Sequence, residues 1–213
     1  IEASDDRDAM LAAALGADRC DIYTDVEGVY TTDPRIAPKA RKLDLITFEE
    51  MLEMASLGAK VLQTRSVAMA MRHKVNLQVR SSFTDTPGTF VVDEDSIVEQ
   101  EKVSGIAYSP DEAKITIQGL PDQPGIAAQV FGQLADNHVN VDMIVQSAST
   151  DAKKTDITFS VGRADLAKAV DLIEGSQNML GFAALSATEN VTKISVVGMA
   201  MRSQPGVAKT MFE

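Results

Sequence analysis

The chain has 213 residues and a formal net charge of −11 at pH 7. This length allows two domains with separate cores, and the negative charge disfavours binding to nucleic-acid phosphates and to anionic membrane surfaces. No apolar run is long enough to span a bilayer, and the first residues, IEASDDRD, lack the features of a secretory signal. We therefore expect a cytoplasmic protein with neither nucleic acid nor membrane as a partner.

Residues typical of metal and nucleophile chemistry are scarce. The single cysteine, Cys20, lies in an apolar strand pattern, which indicates a buried, inert thiol. His73 and His138 are far apart in polar surroundings, so we place both at the surface and predict no metal site. The sequence contains neither a Walker-type phosphate loop nor a Gly-x-Ser-x-Gly nucleophile motif.

The first half of the chain has an α/β pattern that begins with a helix and a strand. Ala9 to Leu15 has helical composition, and Cys20 to Tyr23 alternates as a strand does. The segment from Val26 to Arg35, VEGVYTTDPR, is rich in turn residues. In open α/β sheets ligands bind at the carboxyl ends of strands, so this loop is the first candidate for a small-molecule site.

Helices and further strands follow the loop. Thr47 to Glu50 is a capping box that predicts a helix start, and Leu57-Gly58 predicts its end. A second helix is predicted from about Lys60 to Arg72, with strands at Val75 to Val79 and at Thr89 to Val92.

The acidic stretch of residues 93–102, DEDSIVEQEK, is the predicted linker to a second domain. After it the pattern gives the order β-α-β-β-α-β, which is that of the ferredoxin-like fold. The predicted elements are a strand at Lys114 to Gln118, a helix with Ile126, Val130, Phe131 and Leu134 on one face, strands at Val139 to Val145 and around Ile157 to Val161, a helix with Leu166, Ala169, Val170 and Ile173 on one face, and a short strand near Phe182 to Leu185.

One stretch of this second half occurs twice. ITIQGLPDQPGIAAQVF at residues 115–131 is repeated as ISVVGMAMRSQPGVAKTMF at residues 194–212, with the loop before the second Pro-Gly two residues longer. Val191 leads into the repeated strand, Lys193 to Val197, which predicts a second copy of the module that is incomplete at Glu213.

The repeated Pro-Gly has two interpretations. In the first, it is only a strand-to-helix turn in which Pro fixes φ and Gly permits a tight helix entry. In the second, the glycine exposes backbone N–H groups at the positive end of the helix dipole, which suits a carboxylate, while Asp122 receives an ammonium group. The second interpretation describes a free amino acid as the ligand.

The first domain offers a set of residues that suits a nucleotide. Arg and Lys neutralise phosphates, Asp and Thr hold ribose or base edges, and Tyr stacks or forms hydrogen bonds. Each residue alone is also common at surfaces, so spacing leaves the nucleotide site and a solvated loop as alternatives. The candidates are Thr24, Asp25, Tyr30, Arg35 and Lys60.

Longer motifs extend these observations. YTDVEGVYTTDPR (23–35), KARKLDLITFEEMLEMASLGAKVLQTRSV (39–67) and VRSSF (79–83) resemble the carboxyl-terminal part of the aspartokinase kinase domain, and LPDQPGIAAQVF, HVNVDMIVQSAS and TDITFSV resemble the tandem ACT domains of that family. The resemblance implies an amino-acid kinase fold, in part, followed by ferredoxin-like ACT domains of which the second is incomplete. It implies residues 1–92 as kinase domain, 93–102 as linker, 103–190 as first ACT domain and 191–213 as the start of the second.

The resemblance also implies a function. Members of the family transfer the γ-phosphoryl group of ATP, with Mg²⁺, to the side-chain carboxylate of aspartate, the first step toward lysine, threonine and methionine. The nucleotide positions of the family fall on the five candidates above. Lysine and threonine act as effectors at positions that correspond to Asp122, Gly125, Ile126, Ala127, Asn140, Val141 and Gln146, and we expect a homodimer or higher oligomer formed through ACT domains.

The sequence departs from the family at its beginning. The glycine-rich amino-terminal lobe and the aspartate-binding residues have no counterpart, and only Ser4-Asp5 matches an expected Gly-Arg-Gly-Gly-Ser-Asp motif. We therefore expect the catalytic residues in sequence outside this chain. The alternative function is a non-catalytic amino-acid-sensing subunit, since ACT modules bind amino acids without a kinase.

Overall fold

The structure is a computed structural model, and it describes residues 5–96, 103–148, 153–198 and 206–212, with the side chains of 5 and 6 excluded. The chain divides into two compact units. The first comprises Ile1–Tyr108 and Ile194–Glu213, and the second Ser109–Lys193. Residues 97–102 of the predicted linker lie outside the described residues, so the domain boundaries given above stay a prediction.

The first unit has the predicted α/β architecture. Its elements are α1 (Asp5–Leu15), β1 (Arg19–Thr24), β2 (Leu45–Thr47), α2 (Phe48–Ser56), α3 (Thr64–His73), β3 (Asn76–Ser81) and β4 (Thr89–Val92). The strands form a mixed sheet of order β1-β3-β4-β2, in which β1 is parallel to β3, β2 is parallel to β4, and β3 is antiparallel to β4. The predicted helices and strands of this half are confirmed, apart from the start of α3. The three-residue strand β2 was not predicted.

Apolar residues of the helices and the sheet share one core. Met51 and Met54 of α2 and Val67 of α3 are buried in it with Leu77 and Val79 of β3. The Cys20 side chain is buried in the same core, whereas His73 is exposed, as predicted.

The boundaries of α2 follow from its caps, and they correct the prediction for α3. The Thr47 side chain accepts the Glu50 N–H at 3.1 Å in the predicted capping box, and the helix ends at Leu57. α3 begins at Thr64 rather than near Lys60, because the amide groups of Gly58 and Ala59 bond back to the carbonyls of Ala55 and Met54 and close the preceding helix. Lys60 therefore lies in the connection between the two helices.

The second unit has the predicted ferredoxin-like fold. β5 (Gly105–Pro121), which starts in the first unit, is followed by α4 (Ile126–Asp136), β6 (Val141–Ala148), β7 (Lys154–Gly162), α5 (Leu166–Gly175), α6 (Gln177–Leu180) and β8 (Ala184–Val197). The sheet has the order β6-β7-β5-β8, with β7 antiparallel to both β5 and β6. Buried Ile126, Val130 and Leu134 of α4 and Ile157 and Phe159 of β7 form its core.

Two strand predictions in this half were wrong in extent. The strands predicted near Phe182 to Leu185 and at Lys193 to Val197 are one continuous strand, β8. The polar run between them is typical of a turn, but β8 lies at the end of the sheet order and its residues from Ser186 to Asn190 are exposed, so no apolar alternation is needed there. β5 is likewise longer than predicted, and the one-turn helix α6 was not predicted.

Among the described residues, no helix is long and apolar enough to cross a membrane. The start of the repeated helix is described as α7 (Val207–Phe212), whereas Pro205 lies outside the described residues.

Candidate functional site

The loop that follows β1 begins where two parallel strands end side by side. Thr24 pairs with Ser81 at the end of β3, and the next amide, Ser82 N–H, donates to the Thr24 carbonyl at 2.8 Å. The Thr24 hydroxyl accepts the Val26 N–H at 3.1 Å and so fixes the first turn of the loop. Residues from Thr24 onward are therefore placed at the carboxyl end of the parallel pair, where open α/β sheets bind ligands.

The loop rests on Thr89, a buried residue at the start of β4. The Thr89 hydroxyl accepts the Val29 N–H at 2.8 Å and donates to the Leu43 carbonyl at 2.5 Å. Gly28 is packed so closely that a Cβ there would lie 2.5 Å from the same hydroxyl oxygen. Thr89 thus joins the loop to the segment that precedes β2, and Gly28 is required by this close approach.

Tyr30 extends this arrangement. It forms an isolated antiparallel bridge with Lys42, and its side chain is half-buried. Burial raises the pKa of the Tyr30 phenol above its ordinary value, and the carboxylate of Glu27 raises it further. The phenol therefore keeps its proton at neutral pH and can donate a hydrogen bond to a ligand.

Arg35 is exposed and is held by Asp33 within the loop. Its Nη2 lies 2.8 Å from Asp33 Oδ2, and its backbone N–H donates to Asp33 Oδ1 at 2.8 Å. Hydrogen bonds from Arg35 lower the pKa of Asp33, and the hydrogen bond to Asp33 raises that of Arg35. Asp25 and Tyr108 lie near enough to raise the pKa of Arg35 as well. The structure thus brings together Asp25, Arg35 and two residues that the sequence analysis missed, Asp33 and Tyr108.

Lys60 is the fifth residue of the predicted nucleotide set. It is exposed in the connection between α2 and α3, and no hydrogen bond or ion pair joins it to a described residue. Across the described parts of the chain, no group of three or more His, Cys, Asp or Glu side chains is placed to hold a metal ion. The nucleotide roles of Thr24, Asp25, Tyr30, Arg35 and Lys60 stay a prediction.

The second unit presents the start of α4 as the predicted effector site. Gly125, the N-cap of α4, has φ 89°, and Gly206 in the repeat has φ 99°, so both positions favour glycine. A Cβ on Gly125 would meet no atom within 4 Å, so close packing does not require a glycine there. Asp122 is exposed and its N–H donates to the Lys153 carbonyl at 2.9 Å, while Ile126 is buried and Ala127 is half-buried.

The other three predicted effector residues lie on or beside β6, and they are not all at the same end of the sheet. Pro121, next to Asp122, pairs with Lys154 at the start of β7, whereas Val141 pairs with Val161 near the end of β7. At about 3.3 Å per residue, these ends are roughly 23 Å apart. Asn140 and Val141 are therefore remote from Asp122 and Gly125 within one chain. Gln146 lies toward the Asp122 end, and its amide donates to Thr155 Oγ1 at 3.1 Å.

Comparison with known proteins identifies two domain types in this chain. Residues 2–81 match the amino acid kinase family, and residues 115–177 match the ACT domain. The chain is 51% identical to an aspartate kinase of Pseudomonas putida over 211 residues, which are 99% of this chain and 51% of that protein. The chain thus spans about half the length of the curated relatives it matches.

Solved structures agree with the sequence relatives. Aspartokinase III of E. coli in complex with aspartate and ADP matches with a TM-score of 0.81 and 29% identity, over 99% of this chain and 47% of that one. The same enzyme in complex with lysine and aspartate matches with a TM-score of 0.73 and 30% identity, over 92% of this chain and 43% of that one. An amino acid kinase match and an ACT domain match occur in one chain, and 99% of that chain aligns with aspartokinases, so it is similar to this family along nearly its whole length.

Proposed function

We propose that this chain is part of a feedback-regulated aspartate kinase, which transfers the γ-phosphoryl group of ATP to the side-chain carboxylate of aspartate. The observation that carries the proposal is the loop at the carboxyl end of β1, where the exposed cation Arg35 and the phenol of Tyr30 follow a turn fixed by Thr24. E. coli aspartokinase III, a structural relative, was solved with aspartate and ADP. A cytoplasmic location belongs to the proposal, because ATP is available there.

Phosphoryl transfer depends mainly on positioning and charge neutralisation. In the proposed site, Arg35 and Lys60 neutralise the nucleotide phosphates, while Thr24, Asp25 and Tyr30 hold the nucleoside. Arg35 is paired with Asp33 at 2.8 Å in the structure, so the same carboxylate that orients the guanidinium also competes with phosphate for it. The catalytic residues and the aspartate pocket are assigned to the half of the enzyme outside this chain.

Magnesium enters the proposal only with the nucleotide. The described residues offer no cluster of three ligands for a divalent ion, and Mg²⁺ in nucleotide sites is commonly held by phosphates and water with one or two carboxylates.

Lysine, threonine or both are the proposed effectors, bound at the start of α4. E. coli aspartokinase III was also solved with lysine and aspartate. The N–H groups of Gly125 and Ala127 suit the carboxylate of an amino acid, whereas that of Ile126 donates to the Gln123 carbonyl at 3.3 Å. Asp122 suits the ammonium group of the ligand.

Pairing of two ACT modules through β6 explains the two groups of effector residues. β6 is the terminal strand of its sheet, and Met143, Ile144 and Val145 on it are 51%, 51% and 48% exposed. An open edge with apolar side chains is a template for another strand. If two β6 strands pair in antiparallel fashion about a two-fold axis, Val141 of one copy approaches the end of β6 that carries Gln146 in the other. The proposed assembly is therefore a homodimer, or a higher oligomer built from it, with effectors near the interface.

The activity is tested with the complete enzyme. Aspartate-dependent release of ADP from ATP, with the acyl phosphate trapped by hydroxylamine, is the expected result. Glutamate in place of aspartate serves as the matched acceptor control and should give little product. A protein that binds lysine or threonine but forms no hydroxamate under any condition would instead be an amino-acid-sensing subunit, and the proposal would be abandoned.

A further inference from the structure

The segment Ser104–Ile106, at the start of β5, is packed between α2 and the candidate nucleotide loop. The Ser104 hydroxyl donates to the buried carboxylate of Glu50 in α2, and both residues are less than a tenth exposed. The Glu50 carboxylate also accepts the N–H of Thr47, which fixes its position in the capping box. The start of β5 is therefore tied to a rigid helix terminus by a buried, charge-assisted hydrogen bond.

The next two residues contact the loop itself. The Ile106 N–H donates to the Thr31 carbonyl at 2.7 Å. Gly105 is packed so tightly that a Cβ on it would lie 2.6 Å from Met54 Sδ and 3.3 Å from the Thr31 carbonyl oxygen. Met54 is 2% exposed, so its thioether has little freedom to move away. The position of Thr31 thus depends on where the backbone of residues 104–106 lies.

Thr31 is followed within four residues by Arg35, the cation proposed to contact phosphate. Tyr108, two residues beyond Ile106 on β5, lies near enough to Arg35 to raise its pKa. β5 therefore borders the candidate nucleotide loop at Thr31, and Tyr108 on the same strand lies within electrostatic range of Arg35.

We propose that Ser104–Ile106 is a positioning segment that sets the place of the Thr31–Arg35 loop. The proposal rests on the proposed function, because it assumes nucleotide binding at this loop. A displacement of residues 104–106 moves the Thr31 carbonyl with it through the Ile106 hydrogen bond. Misplacement of a substrate-positioning group by about 1 Å can reduce a rate by about a hundredfold.

Two variants of the complete enzyme test the proposal. Gly105→Ala inserts a methyl group between Met54 and Thr31, and Ser104→Ala removes the hydroxyl that bonds Glu50. Gly132→Ala is the matched control, since a Cβ on Gly132 in α4 would meet no atom within 4 Å. Each protein is assayed for kcat and for the KM of ATP and of aspartate, with circular dichroism to verify folding.

We expect the KM of ATP to rise by about tenfold in both variants, which is less than the roughly hundredfold loss possible for a misplaced group, with the KM of aspartate nearly unchanged. The control should match the wild type. An ATP KM at the wild-type value, or an equal decline of all parameters in step with lower thermal stability, would overturn the proposal. If Gly105→Ala does not fold, Ser104→Ala decides alone. Failure of the wild-type enzyme to form product would count against the proposed function instead.

Discussion

Replacement of Thr89 by valine removes the hydroxyl on which the candidate nucleotide loop rests, while it keeps the shape of the side chain. Thr89 is fully buried, and its hydroxyl is bonded to the Val29 N–H at 2.8 Å and to the Leu43 carbonyl at 2.5 Å. Valine is well suited to a strand, so β4 itself should be retained. The variant therefore leaves two main-chain groups without the partner that they have in the wild type.

The magnitude follows from these two groups. Each buried polar group that loses its partner costs about 1 to 3 kcal/mol, so we expect the free energy of unfolding of the first unit to fall by about 2 to 6 kcal/mol. The loop should also loosen, which raises the KM of ATP in the complete enzyme. Urea denaturation followed by circular dichroism, together with steady-state kinetics, measures both effects.

Thr116→Val is the matched control for this change. The Thr116 hydroxyl is partly exposed and is hydrogen-bonded to that of Thr158 at 3.0 Å, so its loss should cost about 1 kcal/mol or less. The reasoning is refuted if Thr89→Val unfolds at the same urea concentration as the control and binds ATP as the wild type does.

Three further predictions concern the proposed sites. Lys60→Met should raise the KM of ATP or lower kcat by roughly ten- to hundredfold, the value of one charge-assisted contact, and unchanged kinetics in the folded variant would remove Lys60 from the site. Asp122→Ala should shift the inhibitory concentration of lysine or threonine upward by about one to two orders of magnitude with basal activity retained, since Asp122 is exposed; equal effector affinity by calorimetry would make it a turn residue only. Ile144→Lys should place a charge on each open edge and weaken the dimer in light scattering across a range of concentrations, whereas a wild-type protein that is monomeric throughout would contradict the proposed assembly.

The fold could be predicted from local patterns because apolar periodicity and capping chemistry agree with it. The Thr47–Glu50 capping box and the alternation of Ile157, Phe159 and Val161 specify their elements without reference to the rest of the chain. The joining of two predicted strands into β8 could not be anticipated, because an edge strand tolerates polar residues on both faces. The start of α3 could not be anticipated either, because it depends on the amide groups that close α2.

The candidate site was predicted only in part, for a related reason. Thr24 to Arg35 form one stretch of turn residues, and a sequence pattern can identify it. Thr89 and Tyr108 contribute from strands that are distant in sequence, and nothing in their local surroundings distinguishes them from ordinary strand residues. The separation of Asn140 and Val141 from Asp122 became evident only from the register of β7 with β5 and β6.

Calorimetric titration of the complete enzyme with effector, in the presence and absence of saturating ATP analogue and aspartate, tests the central claim of a nucleotide site coupled to an amino-acid site. Linkage requires that an effector which weakens substrate binding is itself bound more weakly, by the same factor, when the substrates are present. We predict a reduction in lysine or threonine affinity of about 5- to 150-fold, the usual range of allosteric coupling. Equal affinity for lysine and for threonine with and without the substrates, or no measurable binding of either amino acid, would contradict the account.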